Sequence, residues 1–114
     1  MGQATVPQLV LDNNGQRTTL EPGRSYTLGR DPKSDVTVDD SRVSWRHATI
    51  AFTGTGWVFT DIGSTNGSFA EGRRSNQIQL AEGSVVVLGN VDSGPRLSFS
   101  AAPAAAQWLS LIHI

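Results

Sequence analysis

The chain has 114 residues, a formal net charge of −1 at pH 7 and no cysteine, which favours one domain and excludes disulfide and thiolate chemistry. With 9 Lys and Arg against 10 Asp and Glu, no basic field covers the protein, so we expect no nucleic-acid partner. The opening MGQATVPQ lacks the pattern of a signal peptide, and no run approaches the roughly 18 apolar residues of a spanning helix; we therefore expect a cytoplasmic protein without membrane insertion.

Short apolar runs with a period of two dominate the first half of the chain, which predicts β-strands. The predicted strands cover residues 8–12, 17–20, 25–30, 36–38 and 47–52. Asn13-Asn14-Gly15 is typical of a hairpin turn between the first two strands. Pro22-Gly23 predicts a second turn before the third strand.

The second half of the chain continues the same pattern. The predicted strands cover residues 57–61, 68–70, 77–80, 84–88 and 96–100. The run Val85-Val86-Val87 is predicted to be buried on both faces. Turn signals recur about every 8–12 residues and no capped helix is evident in residues 1–100, which predicts an all-β fold, an antiparallel sandwich or barrel.

The composition changes at the end of the chain. The Ala/Pro stretch AAPAAA, residues 101–106, predicts an interdomain linker after a domain of residues 1–100. The apolar tail QWLSLIHI, residues 107–114, is of uncertain origin: an extra strand, a docking segment or residues foreign to the natural protein. The linker indicates that the domain is part of a longer multidomain protein.

Candidate anion-binding residues lie near two predicted strand ends. Arg30 follows Gly29, and its planar guanidinium matches two phosphate oxygens, although a solvated surface arginine would fit the same position. Ser44 and His47 stand three residues apart at the entry to a strand. His47 could polarise Ser44, coordinate a metal or brace the loop.

The sequence Thr65-Asn66-Gly67 joins two predicted strands. Asn-Gly is the strongest signal for a type I′ hairpin turn, so Asn66 could be only a turn residue. Its amide also donates and accepts at once, so it could hold the backbone of an extended peptide.

The order and spacing of these motifs resemble the forkhead-associated (FHA) family from about residue 26 to residue 89, with weaker matching to residue 99. The matching stretches are LGR (28–30), SDVTV (34–38), VSWRHATI (43–50), GSTNGSF (63–69) and VVVLGN (85–90). The resemblance implies a β-sandwich of about eleven strands with its site in loops at one end. It also implies binding of phosphothreonine in an extended peptide.

Site roles follow from the resemblance by position. Arg30 and Ser44 would contact the phosphate, and Thr65 would line the phosphothreonine pocket. Asn66 would bond the peptide backbone near the phosphorylated residue. Ser64, in the same loop, is expected to belong to the binding surface.

Other positions of the resemblance are supporting or divergent. Gly29, His47 and Gly67 would be architectural. Arg42 lies where some members choose the side chain three residues after the phosphothreonine, and an arginine there indicates a preference for an acidic residue. Trp45 departs from the Arg, Lys or Asn that is frequent in the family, so the peptide would meet its backbone N–H or indole instead of a charged side chain.

The expected partner is therefore a phosphothreonine-containing protein or peptide made by an upstream Ser/Thr kinase, with no cofactor, no metal and no catalysis. Two alternatives stay open. A hydrolase would use Ser44, His47 and Asp61 as a triad, although Ser44 lacks a nucleophile elbow. A degenerate FHA-like sandwich would serve only as a structural or oligomerisation module.

Overall fold

The computed structural model of the chain describes residues 8–54 and 56–101. Within them the protein is all-β, and no helix is long and apolar enough to cross a membrane. The strands of this part of the chain are β1 (Leu9–Asn13), β2 (Gln16–Leu20), β3 (Tyr26–Gly29), β4 (Val36–Thr37), β5 (Ala48–Phe52), β6 (Trp57–Asp61), β7 (Ser68–Ala70), β8 (Arg73–Arg74), β9 (Gln77–Leu80), β10 (Val85–Leu88) and β11 (Arg96–Ala101). The predicted tail and the linker beyond residue 101 lie outside the described residues.

The strands form two sheets, in the orders β2-β1-β11-β10-β7-β8 and β4-β3-β5-β6-β9. Among the described strands every pair is antiparallel except β3 and β4, which run parallel with Leu28 opposite Val36. Asp35 stabilises this parallel pair. Its side-chain Oδ2 accepts the Thr27 N–H at 2.9 Å, and its backbone N–H donates to Thr27 Oγ1 at 3.0 Å. The predicted β-sandwich is confirmed, with one parallel pair that the pattern did not indicate.

The inward faces of both sheets share one apolar core. Leu11 and Phe99 of one sheet and Ile50 and Phe59 of the other are at most 2% exposed. Alternation along β1, β5 and β11 places their core residues inward. β6 departs from it, since Trp57, Val58 and Phe59 are all buried. The prediction that the valines at the start of β10 are buried on both faces is wrong for Val85, which lies at the strand's first position and is 36% exposed.

Two hairpins use tight two-residue turns. Asn14 and Gly15 have φ of 53° and 92°, as a type I′ turn requires, which confirms the predicted first hairpin. Glu71 and Gly72 have φ of 52° and 78° between β7 and β8, a hairpin that the sequence did not predict.

The Asn66-Gly67 pair is not a hairpin turn. It lies between β6 and β7, which belong to different sheets, and Asn66 is not among the described residues with positive φ. The expectation of a type I′ turn at this position is wrong, because the segment crosses from one sheet to the other. Its conformation is set by contacts with neighbouring loops.

Candidate functional site

Loops at one end of the sandwich converge on the predicted site residues. We call them loop A (residues 30–35, after β3), loop B (residues 38–47, before β5) and loop C (residues 62–67, between β6 and β7). Loops A and B are joined by their backbones: the Arg30 N–H donates to Ser44 O at 3.0 Å, and the Asp31 N–H donates to Trp45 O at 3.2 Å. The position of loop B is therefore fixed relative to the end of β3.

Gly29 permits this close approach. A Cβ at this position would collide with the Trp45 carbonyl oxygen and lie 3.0 Å from the Ser44 carbonyl oxygen. Any side chain would thus push loop B away from β3. The contact supports the architectural role that we expected of Gly29.

Arg30 is exposed, and its side chain is anchored at one point. Its Nε donates to the Val43 carbonyl oxygen at 2.8 Å. Within the described residues it forms no ion pair, in contrast to Arg42, whose guanidinium is paired with a carboxylate. The two Nη groups therefore remain as a planar fork for an anion.

Ser44 is half-buried and links loops B and C. Its hydroxyl oxygen accepts the Thr65 N–H at 3.0 Å, and its own N–H donates to His47 Nδ1 at 3.1 Å. A hydroxyl carries one proton and two lone pairs, so the accepted bond leaves its proton to donate to a ligand oxygen. Arg30 and Ser44 are thus tied to each other through loop B, and both can donate.

His47 is fully buried and braces the loops. Since Nδ1 accepts from Ser44, the neutral ring carries its proton on Nε2, which donates to the Gly67 carbonyl oxygen at 3.1 Å. Burial lowers the pKa of His47, an effect that the Asp61 carboxylate, 3.7 Å from Nε2, only partly opposes. The ring is therefore held neutral by its surroundings.

These contacts exclude a Ser–His–Asp triad. The His47 ring contacts the backbone N–H of Ser44 and not its hydroxyl, and the ring is 0% exposed. The Ser44 hydroxyl oxygen instead accepts the Thr65 N–H. A general base needs a free ring nitrogen beside the nucleophile, and neither ring nitrogen of His47 is in that position.

The neutral ring predicts a pH-dependent stability. The unfolded chain binds a proton at His47 near the ordinary pKa of 6.5, and the folded protein does so only at lower pH. We therefore expect the free energy of unfolding to fall as pH drops below about 6.5, by at most about 1.4 kcal/mol per pH unit from this one group. Urea titrations between pH 7.5 and 5.5 measure the slope.

His47→Gln is the control for this prediction, because glutamine does not titrate in that range. We expect its slope to be flatter than that of the native chain. An NMR titration that gave the ring of His47 a pKa at or above 6.5 in the folded protein would contradict the prediction.

Asp61, which the sequence suggested only as a triad member, organises loop C. Its side chain is 5% exposed. Its oxygens accept the N–H groups of Gly63 and Ser64 at 2.9 and 2.8 Å, and the hydroxyls of Ser64 and Ser68. Burial alone would raise the pKa of Asp61, but these hydrogen bonds outweigh it, and the pKa is lowered. The ionised carboxylate therefore fixes the start of the loop.

Ser64 differs from the expectation. Its side chain is buried, and its hydroxyl donates to Asp61 and accepts the Gly67 N–H at 3.0 Å. With these partners the hydroxyl points into the loop rather than toward solvent. We correct its assignment from the binding surface to the support of loop C.

Thr65 and Asn66 lie exposed at the tip of loop C. The Asn66 Nδ2 donates to the Arg42 carbonyl oxygen at 3.1 Å, which leaves Oδ1 and one N–H of the amide for a ligand. Gly67 follows with φ of 96°, and its carbonyl oxygen accepts from His47. Loop C is thus attached to loop B at both its tip and its end.

Gly89 is a supporting residue that our assignment by position omitted. A Cβ at Gly89 would lie 2.6 Å from both Cβ and O of Arg42. The Gly89 N–H donates to the Gly67 carbonyl oxygen at 2.9 Å. It therefore seats loops B and C together. The glycine in the stretch VVVLGN was the sequence signal that could have indicated this role.

Arg42 and Trp45 present contrasting side chains on loop B. The Arg42 guanidinium is bound to Asp40 and to Ser93. The Trp45 side chain is 54% exposed. Over the described residues no group of three His, Cys, Asp or Glu side chains is placed to hold a metal ion.

Comparison with known proteins places this arrangement in a family. The family model for the FHA domain matches residues 26–89. The ABC transporter ATP-binding/permease protein Rv1747 of Mycobacterium tuberculosis is 33% identical over 96 residues, which are 84% of this chain. The chain spans only 11% of that relative's length.

Solved structures agree. The crystal structure of M. tuberculosis Rv1747 FHA-1 has a TM-score of 0.80 and 32% identity, and the match covers 84% of this chain and 97% of that one. A structure from an analysis of phosphothreonine-dependent FHA domain interactions has a TM-score of 0.73 and 27% identity, and covers 84% and 98%. With its sandwich, its convergent loops and the family match, the chain belongs to the FHA domain family.

Proposed function

We propose that this domain binds phosphothreonine in an extended segment of a partner protein and so reads the output of a Ser/Thr kinase. The observation that carries the proposal is the pairing of Arg30 and Ser44. Their backbones are hydrogen-bonded at 3.0 Å, and each keeps a donor for an anion. Membership of the FHA family and the likeness to a domain studied for phosphothreonine-dependent interactions support it.

Each residue at the surface of the site has a proposed part. Arg30 and Ser44 bind the phosphate oxygens, and Thr65 lines the pocket beside them. Asn66 bonds the peptide backbone with the amide groups that Arg42 leaves unused. Trp45 offers its backbone N–H and a half-exposed indole that can pack on the peptide.

The strength of such a site is modest. Phosphothreonine carries a charge of about −1.5 to −2 at neutral pH. Three or four charge-assisted hydrogen bonds, each worth roughly 1.5–3 kcal/mol, minus the cost of ordering the peptide, give a Kd in the micromolar range. Binding of this strength suits a reversible signal.

We further propose that the domain binds without catalysis and acts in the cytoplasm as one module of a longer protein. The blocked His47 ring and the absence of a metal cluster among the described residues support binding without chemistry. The small share of Rv1747 that the chain covers supports the modular context.

The test is calorimetry with matched peptides. A degenerate phosphothreonine library would select a sequence, which is then synthesised with phosphothreonine and with threonine. We expect micromolar binding of the phosphorylated form and no measurable binding of the other. Equal binding of the two forms, or no binding of any phosphopeptide, would refute the proposal and favour a structural sandwich.

A further inference from the structure

Asp40 and Arg42 form a two-pronged ion pair on loop B. Arg42 Nε donates to Asp40 Oδ1 at 3.0 Å and Nη2 donates to Oδ2 at 2.9 Å, while the Arg42 backbone N–H also donates to Oδ1 at 2.9 Å. These bonds lower the pKa of Asp40 to about 2, so the carboxylate is ionised throughout the neutral range. The charge of Arg42 is therefore already balanced within the domain.

A third N–H of the guanidinium also has a partner within the domain. Arg42 Nη1 donates to Ser93 Oγ at 2.8 Å. Bidentate recognition of a second carboxylate needs two parallel N–H groups along one edge. In Arg42 the edge formed by Nε and Nη2 is bound to Asp40 and one N–H of Nη1 is bound to Ser93. Two of the five N–H groups remain, one on each Nη, but Asp40 already balances the charge that a second carboxylate would need.

In the proposed complex Arg42 would lie beside the peptide. Its carbonyl oxygen holds Asn66, the proposed clamp on the peptide backbone, at 3.1 Å. Its side chain lines a cavity of about 740 Å³, together with Asp12, Asp39, Asp40 and Arg96. A partner side chain that enters this cavity meets Arg42 and Asp40 together.

We infer that Asp40 is a specificity-determining residue: it occupies Arg42 as an internal carboxylate and so removes the preference for acidic partner residues that an unpaired Arg42 would create. The inference rests on the proposed phosphothreonine binding. An acidic partner side chain would have to displace Asp40 or share the guanidinium with it, and two carboxylates on one cation repel each other. The native domain therefore treats acidic and neutral residues alike at this position.

The experiment uses a peptide set that differs at one position. Phosphothreonine peptides carry Asp or Ala three residues after the phosphothreonine, and calorimetry gives the ratio of their Kd values. For the native domain we expect the two to agree within about twofold. For Asp40→Ala and the isosteric Asp40→Asn we expect the Asp peptide to bind at least fivefold more tightly, with the Ala peptide unchanged.

Asp39→Ala is the matched control. Asp39 is exposed and adjacent to Asp40, but it makes no hydrogen bond to Arg42, so its removal changes the charge without freeing the guanidinium. We expect its ratio to stay near that of the native domain. The double variant Asp40→Ala with Arg42→Ala should lose the gain, because no arginine remains to bind the acid.

Three results would overturn the inference. They are a native domain that already favours the Asp peptide fivefold or more, Asp40 variants with an unchanged ratio, and an Asp39→Ala ratio equal to that of Asp40→Ala. Each of these presupposes that phosphopeptides bind. A native domain that binds none of them would instead refute the proposed function, so the two failures are distinguishable.

Discussion

Replacement of Arg30 by lysine should weaken binding of a phosphothreonine peptide at least about tenfold, although the positive charge is kept. Lysine offers a single point charge, whereas the two Nη groups of Arg30 match two phosphate oxygens at once. Lysine also lacks Nε and cannot make the bond to the Val43 carbonyl that fixes the arginine stem. Loss of one charge-assisted bond, about 1.5–3 kcal/mol, corresponds to roughly tenfold or more in Kd.

Calorimetry with one phosphopeptide measures this effect, and Arg73→Lys is its control. Arg73 lies exposed on β8 and forms no ion pair within the part of the chain that the structure describes. We expect Arg73→Lys to bind the phosphopeptide with the native Kd. We expect the thermal unfolding midpoints of both variants to stay close to that of the native domain. A Kd for Arg30→Lys equal to the native value would contradict the two-pronged contact.

Replacement of Gly29 by alanine should destabilise the fold by about 3 kcal/mol, at the upper end of what overpacking usually costs. The new Cβ would collide with backbone atoms of Trp45 and Ser44, which cannot rotate away as a side chain would. Both carbonyl oxygens are also held by hydrogen bonds from loop A. Relief of the collision would therefore break the attachment of loop B.

Chemical denaturation measures the loss, and Gly56→Ala is the matched control. Among the described residues, a Cβ at Gly56 would meet only Gln79 Oε1, at 3.6 Å, which is an ordinary van der Waals contact. We expect little change in its stability. We also expect any folded Gly29→Ala protein to bind phosphopeptide poorly, because Ser44 moves away from Arg30. Native stability and affinity in that variant would show that the close approach is dispensable.

The sequence predicted the strands well wherever alternation was long enough to read. The bounds of β6, β7 and β9 agree with the predicted ones. In β9 the apolar residues Ile78 and Leu80 are the buried ones, as alternation predicts. β8 was missed because Arg73 and Arg74 carry no apolar pattern. β8 follows the Glu71-Gly72 turn, in which the non-glycine residue Glu71 has positive φ. The sequence gives no sign of this turn, which becomes evident only when β7 and β8 are seen to pair.

The candidate site was predictable in its outline and not in its hydrogen bonds. Motif order placed Arg30, Ser44 and Asn66 in neighbouring loops, and the structure brings those loops together. The inward turn of Ser64 and the capture of Arg42 by Asp40 were not predictable, since both depend on which partner lies within reach after folding. The sequence shows that an arginine is charged, but only the structure shows whether a carboxylate of the same chain already pairs with it.

The first and last described strands offer a practical consequence. β1 and β11 are antiparallel neighbours with Leu9 opposite Ala101, and Cα atoms of such a pair lie about 5 Å apart. The other end of β1 reaches the loop side, where Asn13 Nδ2 donates to the Thr37 carbonyl oxygen. The two ends of this pair therefore lie close together, as insertion into a surface loop of a fluorescent protein would require. The binding loops would then point outward, as the sensing end of a reporter for kinase activity.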